Sequence, residues 1–316
     1  MKVRILLVAL VCALTGQAQA QSNYPSRPVR IVVPSPPAGG TDIIARVLAQ
    51  YFSNATGQQF YVENRAGAGN MIGIESVARA APDGYTLLFV PSTLALNSVM
   101  YKKISYDPVR DFAPITLAAA APNVLVVNPR VPARSIAELI ALAKQKPGQL
   151  TYGTPGIGTS LHMAMELFKS LADVDLQHIP YRGTAPAMTD VISGQITAMF
   201  SNALTAKPQI ESGAVRALGV SSRTRSESMP DVPPIAEAGV PNYEATQWYG
   251  LAAPAGTPPR LHAEATQALK TQDMKDKLAS DGAEPVGTTP AEFAAHIKSE
   301  LEKWANVARV AKIEPQ

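Results

Sequence analysis

Small hydroxyl, amide and glycine residues follow several apolar, β-branched segments of the chain, just before stretches with helical spacing. After residues 29–33 the chain reads PSPPAGGTD, in which Gly39 and Gly40 allow close approach of the backbone and Thr41 is suited to cap a helix. The first amides of a helix lack a backbone partner, and with the helix dipole they favour an anion. This pattern predicts a site for a small anion such as a carboxylate.

The same arrangement recurs after four further strand-like segments, which end at residues 90, 153, 180 and 200. The residues that follow them are Ser92 and Thr93; Gly156, Gly158, Thr159 and Ser160; Gly183, Thr184 and Pro186; and Ser201 and Asn202. Ordinary helix capping explains any one of these starts. Because ligands of open parallel sheets bind beyond the carboxyl ends of strands, all five together predict a pocket of main-chain amides and hydroxyls.

The elements that would position these residues are predicted from the alternation of short β-branched runs with amphipathic stretches. That alternation is typical of an α/β protein with parallel sheets and crossover helices. The predicted strands are residues 29–33, 59–63, 85–90, 124–128, 149–153, 176–180, 196–200, 215–220 and 248–253.

Two helices carry signals of their own. Ser135 with Glu138 three residues later predicts a capped helix start. Near the end of the chain an apolar stripe with three- and four-residue spacing predicts a helix that docks on the rest of the protein. The stripe consists of Phe293, Ile297, Leu301, Trp304 and Val307.

The first twenty residues read as a secretory signal, with basic residues, the apolar run ILLVALVCAL and a small-residue end, and we expect cleavage after Ala20. The one cysteine, Cys12, lies in that segment, so the mature chain would have no thiol or disulfide. Loss of Lys2 and Arg4 would lower the formal net charge from +3 to +1, which gives no electrostatic argument for nucleic-acid binding. We therefore expect an exported protein, and its length predicts two domains of about 150 residues.

An enzyme is the rival class. Ser160 and His162 are close in sequence, but neighbouring helical positions point apart, and neither a GxSxG elbow nor an HExxH motif is present. The four histidines do not cluster at metal-ligand spacing, and NRAGAGNMIG has one residue too many for a dinucleotide fingerprint. We expect no catalysis, no cofactor and no metal, and a Ser-dependent hydrolase is the weaker alternative.

With these residues assembled, the chain resembles the receptors of tripartite tricarboxylate transporters, the Bug or TctC-type periplasmic solute-binding proteins. The resemblance runs in order over nearly the whole mature chain. It is carried by YPSRPVRIVVPSPPAGGTDIIAR, VENRAGAGNMIG, APDGYTLLF, YDPVRDFAPI, YGTPGIGTSLHMAMELF, IPYRGTAPAMTDVISGQI, RALGVSSRTR, PDVPPIAEAGVP and WYGLAAPAGTP.

The resemblance implies a type II periplasmic binding fold with two αβ lobes and a small organic carboxylate in the cleft between them. Lobe 1 would comprise residues 22–123 plus 246–316 and lobe 2 residues 124–245, with 124–128 and 248–253 as crossing segments. The implied partners are the carboxylate and the membrane permease subunits of a transporter, for a monomeric receptor. An exported ligand-sensing module that serves a signalling protein would have the same fold, so this alternative stays open.

Carried over position by position, the resemblance implies ligand contacts in both lobes. They are Ala38, Gly39, Gly40, Thr41, Asp42, Ser92 and Thr93 in lobe 1, and Gly156, Thr159, Ser160, His162, Gly183, Thr184, Ala185 and Asn202 in lobe 2. The family usually has a larger apolar or aromatic residue where this chain has Ser35, so the shape of the ligand near Ser35 to Ala38 is expected to differ.

Several side chains have an ordinary structural explanation beside the functional one. Asp42 would repel an anion if it pointed into the cleft, which favours helix capping or loop anchoring. His162 fits a packed core position as well as a ligand contact, and Arg182 fits either a carboxylate pair or a solvated surface. Trp248 and Tyr249 are expected in the core, with aromatic cover of a ligand as the alternative.

Overall fold

A computed structural model of the protein describes residues 24–37, 40–258, 261–280 and 282–315. The predicted signal segment with Cys12, and the predicted contacts Ala38 and Gly39, lie outside the described residues. The described part forms two β-sheets covered by helices, and this mixed α/β architecture confirms the predicted class.

The first sheet has six strands in the order β11-β4-β10-β3-β1-β2. Its strands are β1 (Val29–Val33), β2 (Phe60–Asn64), β3 (Thr86–Pro91), β4 (Phe112–Ala121), β10 (Gln247–Pro254) and β11 (Glu284–Pro285). β1 pairs in parallel with both β2 and β3, whereas β10 is antiparallel to β3 and β4.

The second sheet has five strands in the order β7-β6-β8-β5-β9. They are β5 (Asn123–Val127), β6 (Thr151–Thr154), β7 (Gln177–Pro180), β8 (Ala198–Asn202) and β9 (Arg216–Val220). β6 is parallel to β7 and β8, and β5 runs antiparallel to β8 and β9.

The described residues contain ten helices. They are α1 (Gly40–Thr56), α2 (Met71–Ala78), α3 (Thr93–Met100), α4 (Ile136–Gln145), α5 (Ser160–Ala172), α6 (Thr184–Ser193), α7 (Ala203–Glu211), α8 (His262–Leu269), α9 (Gln272–Ser280) and α10 (Pro290–Val310).

Two strands and the antiparallel pairings depart from the sequence prediction. β4 has the sequence FAPITLAAAA and was not predicted, because alanine and proline have low strand propensity. It nevertheless forms the longest strand, since β10 and β11 pair on its two sides. The short β11 was also missed, and both sheets are mixed rather than purely parallel.

Helices cover both faces of each sheet. In the first sheet α1, α8 and α9 bury one face, and α2, α3 and the first half of α10 bury the other. In the second sheet α6 and α7 cover one face, and α4 and α5 cover the other. Leu96 and Met100 of α3 join the α4 and α5 cluster, so the helices of the two sheets pack on each other along this side.

The long helix α10 joins the two cores. Phe293 and Ile297 pack in the first sheet, whereas Trp304 and Val307 pack with the second, which confirms the predicted stripe. Between these pairs Glu300 is only 3% exposed, and its Oε2 accepts hydrogen bonds from the indoles of Trp248 (3.0 Å) and Trp304 (2.9 Å). Trp248 is therefore a core residue, as expected. Tyr249, the next residue in sequence, is also buried, and its ring stacks on that of Phe89.

The chain passes between the sheets at two adjacent places. Pro122 alone separates β4 from β5, and the return runs through the segment between β9 and β10. Asn123 N donates to Ser221 Oγ (2.8 Å) and its Nδ2 donates to Ala245 O (3.0 Å), which ties the outgoing and returning passages together. Of the segments expected as crossings, residues 124–127 belong to β5 and residues 248–253 to β10. The lobe boundaries and the crossing roles stay a prediction.

Candidate functional site

The ends of five strands meet at facing edges of the two sheets. β4 is parallel to β3, since both pair antiparallel with β10, so the carboxyl ends of β1 and β3 lie at the edge from which the chain enters the second sheet. Asn123 pairs with Asn202, so β5 begins where β8 ends, and β6 and β7 end at that same edge. The predicted helix starts therefore face each other across the Pro122 connection.

In the first sheet the loop after β1 is anchored by Asp42 and Asn64. Asn64 Nδ2 donates to Asp42 Oδ1 (2.9 Å) and to Ser35 O (3.1 Å), and Arg46 Nε donates to Asp42 Oδ2 (3.0 Å). Asp42 is 3% exposed, so its carboxylate is held by donors of the protein itself. This geometry supports the anchoring interpretation of Asp42. The helix α1 begins at Gly40, so Thr41, which the sequence suggested as the cap, lies one residue inside the helix instead.

The helix start after β3 differs from an ordinary cap. Ser92 occupies the N-cap position of α3 with helical φ and ψ of −53° and −15°, and its side chain makes no cap hydrogen bond. Thr93 Oγ1 instead accepts a hydrogen bond from Asn70 Nδ2 (2.9 Å). The buried Ser92 Oγ has no hydrogen-bond partner among the described residues.

In the second sheet the loop after β6 is organised by Thr159. Its Oγ1 accepts from His162 N (3.3 Å) as the cap of α5 and donates to Gly156 O (2.9 Å). Gly156 has φ of +143°, a conformation that favours glycine. Ser160 is the first residue of α5 and is partly exposed. Its backbone amide is therefore one of the amides at the start of this helix.

The imidazole of His162 is buried among the elements of the second sheet rather than exposed at the surface. Its Nδ1 accepts from Gly158 N (3.2 Å), and its ring stacks on His178 with 4.3 Å between centroids. Burial is the largest cause that lowers the pKa of His162 to about 4, and His178 lowers it further. His178 in turn is hydrogen-bonded to Thr154 Oγ1 (2.6 Å). These contacts support the core interpretation of His162, and ligand contact by this residue stays a prediction.

The remaining predicted residues lie at the starts of α6 and α7. Gly183 is the N-cap of α6 with φ of +134° and no side-chain cap, so Thr184 and the exposed Ala185 begin a helix whose first amides are uncapped. Asn202 caps α7 through a hydrogen bond from Thr205 N to its Oδ1 (2.9 Å). Arg182 is exposed in the loop before Gly183.

One cavity of about 150 Å³ lies between segments that follow strands of the two sheets. It is lined by Gly69, Asn70, Thr93, Asn97, Met100, Tyr101, Ile157, Gly158 and Thr159. Two predicted residues from different sheets, Thr93 and Thr159, thus line the same space. A larger cavity of about 610 Å³ lies between α7 and α9, but it is rimmed by charges of both signs, including Lys207, Glu227 and Asp276, which suits a small anion less well.

Sequence reasoning missed Asn64, Asn70 and the role of Ser35. Asn64 at the end of β2 contacts Asp42, and Asn70 directly before α2 contacts Thr93. Both contacts join segments that are more than twenty residues apart in sequence. Within the described ranges no group of three or more His, Cys, Asp or Glu could hold a metal ion, and none of their helices is long and apolar enough to cross a membrane.

Comparison with known proteins finds the same architecture. BugT of Bordetella pertussis is 36% identical over 96% of this chain and 96% of its own length. The R. palustris protein Rpa4515, in a structure with adipate, is 36% identical with a TM-score of 0.79, covering 93% of this chain and all of that one (100%). MatC from Rhodopseudomonas palustris, with bound malate, is 30% identical with a TM-score of 0.74, covering 90% of this chain and 99% of that one.

The sequence profile described as the tripartite tricarboxylate transporter family receptor matches residues 44–312. This match spans most of the chain, and the relatives extend over nearly its whole length, as do the solved structures of the same two-lobed fold. The predicted fold and family are confirmed, and the chain belongs to the tripartite tricarboxylate transporter receptor family.

Proposed function

We propose that this protein captures a small organic carboxylate between its two lobes in the periplasm and delivers it to a tripartite tricarboxylate-type transporter. Lobe 1 comprises residues 22–123 plus 246–316, lobe 2 comprises residues 124–245, and residues 1–20 are removed on export. The membership of the two sheets supports this division, since β1 to β4, β10 and β11 form one sheet and β5 to β9 the other. The adipate and malate of the related structures support a carboxylate as ligand.

The observation that carries the proposal is the convergence of helix starts from both sheets on one gap. α1 and α3 begin on one side, and α5, α6 and α7 begin on the other. Each start presents amides without a helical partner at the positive end of a dipole, so a carboxylate between them gains charge-assisted hydrogen bonds from both lobes. Uncharged donors suffice for this, with waters bridging the longer distances.

Capture requires no catalytic step, and the geometry around Ser160 supports binding. A serine nucleophile needs a base within hydrogen-bond reach. The nearest sequence candidate, His162, uses Nδ1 to accept from Gly158 N and is stacked on His178 in the interior.

A thermal-shift and calorimetry panel of the mature protein with di- and tricarboxylates, aromatic carboxylates and acidic amino acids tests the proposal. A ligand at a hundred times its Kd adds about 2.7 kcal/mol to the free energy of unfolding, which a melting curve detects easily. Thr184→Val, at the uncapped start of α6, is expected to weaken binding by about 1 to 2 kcal/mol if its hydroxyl contacts ligand. Thr189→Val on the exposed side of the same helix serves as the matched control.

The panel also separates the rival functions. Absence of binding by every acid would contradict the carboxylate receptor. Turnover of an ester or amide that disappears in Ser160→Ala would favour a hydrolase instead. Binding that leads to uptake only in cells with a cognate permease distinguishes transport from a purely sensory role.

A further inference from the structure

Two stacked imidazoles lie behind the loop that joins β6 to α5, residues 155–159. The ring centroids of His162 and His178 are 4.3 Å apart, and Tyr152 stacks on His178 at 4.9 Å. His162 belongs to α5 and His178 to β7, so the pair connects the helix that follows the loop with a strand beside β6. Stacking uses the ring faces, which leaves the nitrogens at the ring edges available for hydrogen bonds.

The two histidines hold this loop at two points. Gly158 N donates to His162 Nδ1 (3.2 Å). His178 Nε2 is hydrogen-bonded to Thr154 Oγ1 (2.6 Å), and that oxygen also accepts from Gly156 N (3.3 Å). Imidazole nitrogens of the interior thus fix the path of the backbone between β6 and α5.

Gly158 is also the point where α3 of the first sheet packs on this loop. A Cβ added at Gly158 would lie 2.7 Å from Met100 Cε, and the φ of +78° at this position favours glycine. Met100 is buried in the apolar cluster of α4 and α5. Both residues line the cavity of about 150 Å³ between the two sheets. The position of Gly158 therefore affects both how the sheets meet and the shape of that cavity.

The hydrogen bond from Gly158 requires a neutral His162. Because Nδ1 accepts, the neutral ring carries its proton on Nε2, which lies 4.0 Å from Glu166 Oε1. A protonated ring has an N–H donor at both nitrogens. Nδ1–H would then face the N–H of Gly158, and the hydrogen bond between them would be lost.

The groups around His162 oppose its protonation while the loop is held. Burial is the largest cause that lowers the pKa of His162 to about 4, and His178 and Lys169 lower it further. Glu166 opposes this shift, but its Oε1 already accepts from Lys169 Nζ (2.8 Å) and from the hydroxyl of Tyr152. Release of the loop relieves part of the burial, so the ring takes up a proton more readily in the released form than in the held form.

We propose that His162 is a positioning residue that holds Gly158 against Met100, so that protonation of His162 loosens this contact between the sheets and weakens binding of the carboxylate. This inference rests on the proposed function, and it adds a dependence of affinity on pH that main-chain amides do not have. Because coupling between two sites is reciprocal, acid binding and proton binding at His162 oppose each other by the same factor. Affinity is therefore full near pH 7 and falls as the pH is lowered toward the pKa of the held form.

Calorimetric titration of the mature protein with adipate, malate, benzoate and glutamate at pH 7 and pH 4.5 tests the proposal. Relative to His162→Asn, wild type should lose affinity by about five- to tenfold between these pH values. Asn keeps an acceptor for Gly158 N and does not titrate. The ratio of the two proteins at each pH therefore cancels the titration of the acid itself.

Two more variants separate positioning from packing. His162→Leu removes the acceptor and should bind about five- to tenfold more weakly than wild type at pH 7, whereas His162→Asn should retain most of the affinity. His296 of α10 is the control, because burial also lowers its pKa. His296→Asn should keep the wild-type dependence of affinity on pH.

Hydrogen exchange of the Gly158 amide tests the contact without any acid. The ratio of its exchange rate in wild type to that in His162→Asn should rise as the pH is lowered from 7 to 4.5. In His162→Leu the exchange should be faster than in wild type already at pH 7. The methyl resonance of Met100 should shift with the pH in wild type and not in His162→Asn, since Met100 packs at Gly158.

The possible failures are distinguishable. If an acid binds and the affinity ratio of wild type to His162→Asn is the same at pH 7 and pH 4.5, the positioning role is overturned while the receptor function stands. If His162→Leu and His162→Asn weaken binding equally, His162 acts only through packing, and the proposal is likewise overturned. If no acid of the panel binds at either pH, the proposed function itself fails, and the effect on affinity fails with it.

Discussion

The buried imidazole of His162 makes the stability of this protein depend on pH. The residue is 5% exposed, and its Nδ1 accepts from Gly158 N, so the native state holds the ring neutral. Its pKa is lowered from 6.5 to about 4, chiefly by burial and further by His178 and Lys169, while Glu166 opposes the shift. In the unfolded chain the ring titrates at its ordinary pKa.

The direction and size of the pH effect follow from the difference in proton binding between the unfolded and the native state. Between pH 6.5 and about pH 4 the unfolded chain binds a proton that the native state does not, so the free energy of unfolding falls as the pH falls. From pH 7 to pH 5 the loss attributable to His162 is about 2 kcal/mol, and it is complete near the native pKa. The pKa of His178 and that of His296 are also lowered by burial, so the wild-type slope contains their contributions too.

Urea unfolding of wild type and His162→Asn at pH 8, 7, 6 and 5 isolates the contribution of His162 to the pH dependence of stability. Asn keeps an acceptor oxygen near the position of Nδ1 for Gly158 and does not titrate. The variant is expected to lose about 2 kcal/mol less than wild type between pH 7 and pH 5, while the difference between the two proteins stays constant from pH 7 to pH 8. Equal losses in both proteins would show that His162 does not carry the proton difference and would refute the reasoning.

Three other substitutions have expected outcomes. Glu300→Leu leaves two buried indole donors without an acceptor and should lower the free energy of unfolding in urea by about 2 to 6 kcal/mol. Glu300→Gln keeps an acceptor and should lower it by less, so similar losses in the two variants would argue against the hydrogen bonds. A Cβ at Gly73 would lie 2.7 Å from Pro34 Cα, so Gly73→Ala should destabilise the protein by about 1 to 3 kcal/mol. It should also increase hydrogen exchange of the amides in the loop after β1, and unchanged exchange there would contradict this packing. Glu284→Ala removes the carboxylate of β11 that accepts a hydrogen bond from Ser226 Oγ (2.9 Å), in the segment between β9 and β10. Small-angle scattering of the free protein should then show a larger radius of gyration, and an unchanged radius would contradict a role of this contact in holding the two sheets together.

Much of the fold could be predicted because it depends on local chemistry. The strand at residues 29–33 was predicted with its observed bounds, and the Ser135 cap accepts from Glu138 N as expected. β-branched runs and capping residues act within a few positions of themselves, so a single sequence reveals them. β4 escaped prediction because only its partners β10 and β11 make a strand of an alanine-rich segment.

By itself the sequence determined which helix starts could hold an anion, because glycine, threonine and serine after a strand act on the adjacent backbone. Only the tertiary structure decided which polar groups are already used. Asp42 is occupied by Asn64 and Arg46, His162 is stacked on His178, and Ser92 has no partner among the described residues. Such partners come from segments distant along the chain, and burial, which sets the cost of an unpaired group, exists only once those segments have packed together.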